Sequence, residues 1–189
     1  GWHGRTVATL ACCDGPSYEA GALRAGMALS ARVAFDDVAS LDSVLDDTMA
    51  ALIVEPVQGM AGARDCSPEF LTAARRLCTE RGVALLFDEV QCGVGRSGAF
   101  TAAELYGVIP DGLTLAKGLG SGYPIGAVVA GPMLAMGIGV GDLGSTFGGG
   151  PVACAAALAT LSVIADEDLT GNAARVGAHI VAGARALGA

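Results

Sequence analysis

The chain has 189 residues, is 52% hydrophobic and carries a formal charge of −8. That balance argues against a nucleic-acid partner and against an anionic membrane surface. No apolar run is long enough to span a bilayer, and the first residues show no signal-peptide pattern. The six cysteines, Cys12, Cys13, Cys66, Cys78, Cys92 and Cys154, include no Cys-x-x-Cys pair, and His3 and His179 are the two histidines. No metal site is expected from that set, and free thiols in a reducing cytoplasm are the natural reading. The 29 glycines point to tight loops around a sizeable core in one domain. Gly1 opens the chain in what reads as the middle of a motif, so a fragment or a truncated reading frame is expected.

In chain order, Thr6 to Ala11 is predicted as a short strand and residues 12–32 as loop. Val38, Leu41, Val44 and Leu45 stand at helical spacing, which predicts an amphipathic helix within Asp36 to Asp47. Ala50 to Glu55 reads as a buried strand ended by Pro56. Ser67 is the predicted N-cap of a helix that has Pro68 in its first turn, runs to about Arg81 and stops at Gly82. Val83 to Phe87 is a continuous apolar run, as buried parallel strands are. A short helix at Thr101 to Tyr106 and strands at Gly112 to Ala116 and Ile125 to Ala130 follow. Alanine-rich helices at Pro151 to Ala165 and Asn172 to Leu187 close the chain. Alternating strands and helices define an α/β fold with a mainly parallel sheet and helices on both faces.

Ligands of such sheets bind at the carboxyl ends of the strands. The residues there are Glu55 after Leu-Ile-Val, Asp88 after Leu-Leu-Phe, and Lys117 after Leu-Thr-Leu-Ala. Lys117 is the only lysine, and every other basic side chain is arginine. Lysine can shed its proton when desolvated and attack a carbonyl; arginine cannot. Its place before Gly-Leu-Gly-Ser-Gly suggests a Schiff-base lysine, although taken alone it reads more readily as a surface lysine after a strand. Asp88 needs a donor partner: a helix cap, a salt bridge or a pyridinium nitrogen would serve. Gln91 is either a donor to a ring hydroxyl or a solvated loop residue. Gly-Ser-Thr-Phe-Gly-Gly-Gly-Pro at 144–151 precedes a helix, a natural setting for a phosphate.

Together these motifs resemble the class III, ornithine-type aminotransferases among the fold type I pyridoxal-phosphate enzymes. The matching stretches are Trp2-His-Gly-Arg-Thr6, Val54-Glu-Pro-Val-Gln-Gly59, Phe87-Asp-Glu-Val-Gln91, Gly95-Arg-Ser-Gly98, Thr114-Leu-Ala-Lys-Gly118 and Gly144-Ser-Thr-Phe-Gly-Gly149. The resemblance implies the cofactor pyridoxal 5'-phosphate, bound covalently through Lys117. It implies that Asp88 pairs with the pyridine nitrogen, that Gln91 lies near the ring hydroxyl and that Trp2 stacks on the ring. Arg5 would hold a substrate carboxylate, with Ser145 also at the substrate. Thr146 would reach the cofactor phosphate across the interface of a homodimer with a shared active site. Glu55 falls in a family motif without a firm role. The likeness is greatest to the acetylornithine branch, so a small-molecule amino donor like N-acetylornithine and a 2-oxo acid acceptor, 2-oxoglutarate, are implied.

The chain departs from the family at Met60, where a glutamate is usual, and in length. Residues 1–189 are therefore expected to form an incomplete cofactor-binding large domain, without the N-terminal segment and the C-terminal small domain. Three readings compete. One is an aminotransferase, with ornithine, 4-aminobutyrate or a similar ω-amino donor also open. Another is a catalytically incomplete remnant or partner-binding module. A third, an aminomutase or racemase on the same fold, is weakened by Gln91.

Overall fold

The computed structural model describes the strand Thr6–Leu10, Arg24 and residues 31–188. Six strands form the main sheet. In chain order they are β1 (Thr6–Leu10), β2 (Ala31–Val33), β3 (Met49–Val54), β6 (Ala84–Asp88), β7 (Gly112–Leu115) and β8 (Ala127–Ala130). Their order across the sheet is β2-β1-β3-β6-β7-β8. All neighbours are parallel except β7 and β8, which are antiparallel. A separate two-stranded antiparallel ribbon joins β4 (Val57–Gln58) to β5 (Arg64–Asp65). The fold is α/β with a mostly parallel sheet, as the alternation of the sequence predicts.

Among the described residues the helical segments with full bounds are α1 (Val38–Val44), α2 (Pro68–Arg81), α3 (Ala102–Tyr106), α4 (Pro132–Ala135), α5 (Pro151–Asp166) and α6 (Leu169–Ala186). Helix α2 begins and ends as its sequence dictates. Ser67 Oγ accepts from Phe70 N at 3.1 Å, and Gly82 closes the helix in the left-handed region at φ 67°. Ser67 is itself held, because its N–H and its hydroxyl both donate to Asp36 Oδ1 at 2.8 Å. Helix α1 is shorter than its apolar spacing suggests. Asp37 caps it by accepting from Ala39 N and Ser40 N, and Leu45 is already extended. Ala31 and Arg32, expected in a loop, are instead in β2 beside β1. Three residues are too few to show a period of two, so only the sheet reveals this strand.

The main core lies under α1 and α2. Leu41, Leu52, Val54, Phe70, Leu71, Ala74, Leu77, Leu85 and Phe87 are all buried there. A second cluster joins Leu115 and Leu119 to Ala157 and Leu161 of α5. Helix α5 thus docks beside the carboxyl end of β7. Edge strand β8 is barely covered among the described residues, with Val128 and Val129 74% and 53% exposed.

The opposite, amino-terminal end of the sheet is stitched by Asp111. Its Oδ2 accepts from Leu85 N at 2.7 Å and from Arg75 Nη1 at 2.9 Å. Its backbone N–H donates to Leu85 O at 2.8 Å, and its carbonyl accepts from Gly131 N at 2.7 Å. One residue therefore ties β6, α2 and the turn into α4. Asp111→Ala strands the Leu85 N–H and the Arg75 guanidinium, and is expected to lower stability by about 2–4 kcal/mol. Asp111→Asn keeps an acceptor and should lose less. Urea unfolding of the two variants checks the order.

Candidate active site

Strand pairing decides which side chains meet. Val54 of β3 stands opposite Phe87 of β6, and Asp88 stands opposite Thr114 of β7. All three strands run the same way, so Glu55, Asp88 and Lys117 emerge at the same carboxyl edge on three neighbouring strands. In a parallel sheet each strand end opens outward, and no fourth residue is required to bring these groups together.

Asp88 is half-buried. Its Oδ1 accepts from Val90 N at 3.0 Å and from Thr114 Oγ1 at 3.3 Å. These bonds fix the carboxylate plane and use one oxygen. Oδ2 accepts no hydrogen bond among the described residues. An acid with one oxygen anchored and the other free is poised to accept from a ligand N–H. Neither a helix cap nor a salt bridge is what holds Asp88.

Lys117 follows β7 after one residue, at the start of a 3-10 turn, Lys117–Gly120. Its φ is 30°, a left-handed value unusual for a side chain with a Cβ. The turn sends Leu119 and Gly120 into the interior and leaves Lys117 exposed. The sequence suggests a lysine partly desolvated by its apolar strand. The structure differs, because β7 stops at Leu115 and the turn carries the side chain beyond the apolar run. Lys117 makes no ion pair or hydrogen bond among the described residues.

Glu89, beside Asp88, carries a role that its sequence position does not announce. It is fully buried, and its carboxylate accepts from Ala102 N at 2.6 Å and from Ala103 N at 2.9 Å. Thr101 Oγ1 accepts from Glu104 N at 3.1 Å. Together they satisfy the open N–H groups at the start of α3. The Glu89 N–H donates to Thr114 O at 3.1 Å, so the same residue joins β6 to β7. Burial pushes the Glu89 carboxyl above its ordinary value, against the opposing pull of the two N–H donors. The one available sequence signal was a glutamate after five apolar residues and an aspartate, which says nothing about a helix thirteen residues away.

Gln91 is half-buried in the turn after β6, with its carboxamide against Gly59 of the ribbon tip. Met60 beside that tip is 66% exposed. Cys92 is buried, and burial raises its thiol to about 12. Ser145 and Thr146 lie in an exposed loop before α5. Ser145 Oγ accepts from Gly148 N at 3.0 Å, and the N terminus of α5 has no side-chain cap. No hydrogen bond or ion pair joins either residue to Asp88, Gln91 or Lys117. Trp2 and Arg5 lie outside the described residues. Among the described residues no cluster of His, Cys, Asp or Glu could hold a metal, and no helix is long and apolar enough to cross a membrane.

The parallel sheet thus brings an anchored acid and a lysine to adjacent strand ends. The chain matches the aminotransferase class III family over residues 1–189, and it belongs to that family. It is 48% identical over 165 residues to the acetylornithine aminotransferase of Methanocaldococcus jannaschii, covering 86% of this chain and 41% of that protein. The fold superposes on the ornithine δ-aminotransferase of Plasmodium falciparum with a TM-score of 0.82 and 33% identity, over 94% of this chain and 44% of that one. The ornithine aminotransferase of Toxoplasma gondii, whose active site is described as partly occupied by pyridoxal phosphate, gives 0.81 and 33%, over 94% and 45%. The chain spans less than half the length of the curated relatives it matches.

The raised Glu89 carboxyl has a direct consequence. The native state holds that proton to higher pH than the unfolded chain does. The contribution of Glu89 to stability is therefore full below its ordinary value of 4.5 and falls as pH rises through the raised native value. Unfolding of wild type and Glu89→Gln across this range, subtracted pH by pH, should show wild type losing stability relative to the variant as pH rises. A flat difference would contradict the assignment.

Proposed function

We propose that the protein carrying this chain is a pyridoxal-phosphate-dependent aminotransferase. It moves an amino group from an amino acid to 2-oxoglutarate. The observation that carries the reading is Asp88 with one carboxylate oxygen anchored and one free, on the strand next to the one that delivers Lys117. N-acetylornithine is the proposed donor, supported by the chain's 43–48% identity to acetylornithine aminotransferases. Other ω-amino donors are the alternative within the same chemistry.

The residues present fit the ring of that cofactor. Asp88 offers Oδ2 to the pyridine N–H, and the Val90 and Thr114 donors hold it in position. When bound, pyridoxal phosphate supplies a protonated ring that draws electrons from the substrate carbon. Asp88 keeps that ring proton in place. Lys117 Nζ would hold the cofactor at its aldehyde and would take and return a proton at the amino-bearing carbon of the substrate. Gln91 donates to the ring hydroxyl. Trp2 covers the ring face, Arg5 holds a substrate carboxylate, and Ser145 contacts substrate. Thr146 completes the phosphate site of a second subunit, so the working form is a homodimer. The exposed, glycine-flanked loop that carries Ser145 and Thr146 supports this, because neither residue is hydrogen-bonded to Asp88 or Lys117 of its own chain.

Borohydride reduction of the cofactor-loaded protein, followed by peptide mapping, should place the pyridoxyl group on Lys117. A label on any other residue, or none, overturns the proposal. Lys117→Arg keeps the charge but not the nucleophile and should abolish both label and turnover. Asp88→Asn should retain cofactor and lose at least about 100-fold in turnover, since a neutral amide cannot hold the ring proton.

The shared site has its own test. Lys117→Ala and Thr146→Ala chains are each expected to be nearly inactive alone. Mixed before assembly, they should regain activity in dimers with one intact site. No recovery, where wild-type dimers are active, would refute a Thr146 contribution in trans.

A further inference from the structure

The tip of the ribbon between β4 and β5 approaches the turn that carries Gln91 more closely than any side chain would allow. A Cβ on Gly59 would lie 2.5 Å from Gln91 Cδ and 2.7 Å from both Nε2 and Oε1. Carbon does not approach a carboxamide to that distance. The glycine is not demanded by its own backbone, because Gly59 is not among the residues with positive φ, unlike neighbouring Gly62 at 97°. Its lack of a side chain therefore serves the neighbour and not the turn.

Gln91 needs such a neighbour. Its carboxamide makes no hydrogen bond among the described residues, yet the residue is half-buried. A glutamine side chain has three torsions to hold. Without hydrogen bonds, packing is what fixes the plane of its amide, and the bare Cα of Gly59 lies directly against it. The ribbon is itself well anchored where it leaves the sheet. Cys66 N donates to Pro56 O at 2.9 Å, and Ala63 N donates to Gly59 O at 3.3 Å across the tip.

We propose that Gly59 is a positioning residue, whose bare backbone sets the orientation of the Gln91 carboxamide toward the bound ring. This rests on the pyridoxal-phosphate reading above. Gln91 acts on the cofactor, and Gly59 acts only through Gln91. The ribbon thus belongs to the site although none of its side chains need touch the ligand.

The test is Gly59→Ala, alone and combined with Gln91→Ala. The clashing atoms are the far end of a flexible side chain, so the amide can swing away and the single variant should fold with a thermal midpoint close to wild type. Its crystal structure without cofactor should show the Gln91 carboxamide displaced, an outcome independent of any activity. In the loaded protein, Gly59→Ala should shift the absorbance of the lysine-bound cofactor as Gln91→Ala does and weaken cofactor retention about tenfold, the scale of one lost hydrogen bond. In the Gln91→Ala background, adding Gly59→Ala should change neither. An unmoved carboxamide overturns the inference, as does an equal effect of Gly59→Ala with and without Gln91. If Gly59→Ala alone folds poorly, the double variant decides: removing the Gln91 amide must restore the fold, and failure to do so assigns Gly59 to the ribbon instead. A wild-type protein that forms no reducible lysine adduct, with the amide displaced as expected in the variant, instead refutes the functional reading and leaves the Gly59–Gln91 contact standing.

Discussion

The candidate site depends on the pairing of β6 with β7. Asp88 and Lys117 are 29 residues apart in the chain, and nothing local brings them together. The parallel register does so by setting Asp88 against Thr114. Two hydrogen bonds across that pair use Thr114: its carbonyl takes the Glu89 N–H and its hydroxyl donates to Asp88. A one-residue slip would turn Asp88 to the other face of the sheet and leave Glu89 on the ligand side. The fully buried Glu89 carboxylate, committed to the start of α3, makes that slip costly. Adjacent acids thus differ: Glu89 is committed to structure, and Asp88 keeps one oxygen without a hydrogen bond among the described residues.

Much of this was legible beforehand, for physical reasons. Parallel central strands are apolar on both faces, so the runs at β3, β6 and β7 stood out, and the ionisable residues ending them were conspicuous. Helix α2 was legible at both ends, since Ser67 and Pro68 open it and Gly82 closes it by local chemistry. What escaped were features that exist only through partners. Strand β2 is defined by β1, and the ribbon of β4 and β5 by a two-residue pairing. The antiparallel direction of β8 and the capping by Glu89 depend on chain paths that no periodicity encodes. Lys117 shows the reverse case. Its place after β7 was readable, but its exposure follows from a left-handed backbone that no sequence pattern required.

The two ends of the sheet have opposite characters. At the amino end, Asp111 satisfies three backbone groups and a guanidinium around a single residue, giving dense cross-links between elements distant in sequence. At the carboxyl end Asp88 is held through one oxygen only, and Lys117 makes no hydrogen bond or ion pair among the described residues. A scaffold stitched at one end and open at the other can vary its loops around the ligand without loosening the layers beneath.

The solitary lysine also shapes how the molecule meets reagents. With every other cation an arginine, Lys117 offers the only side-chain amine, and it is exposed. Within these residues, succinimidyl esters, aldehyde crosslinkers and amine-coupled sensor surfaces would find Lys117 as the one side-chain amine, set at the carboxyl edge of the sheet. Tethering through lysine would occlude that edge, and the exposed Cys154 on α5 offers a handle of different chemistry.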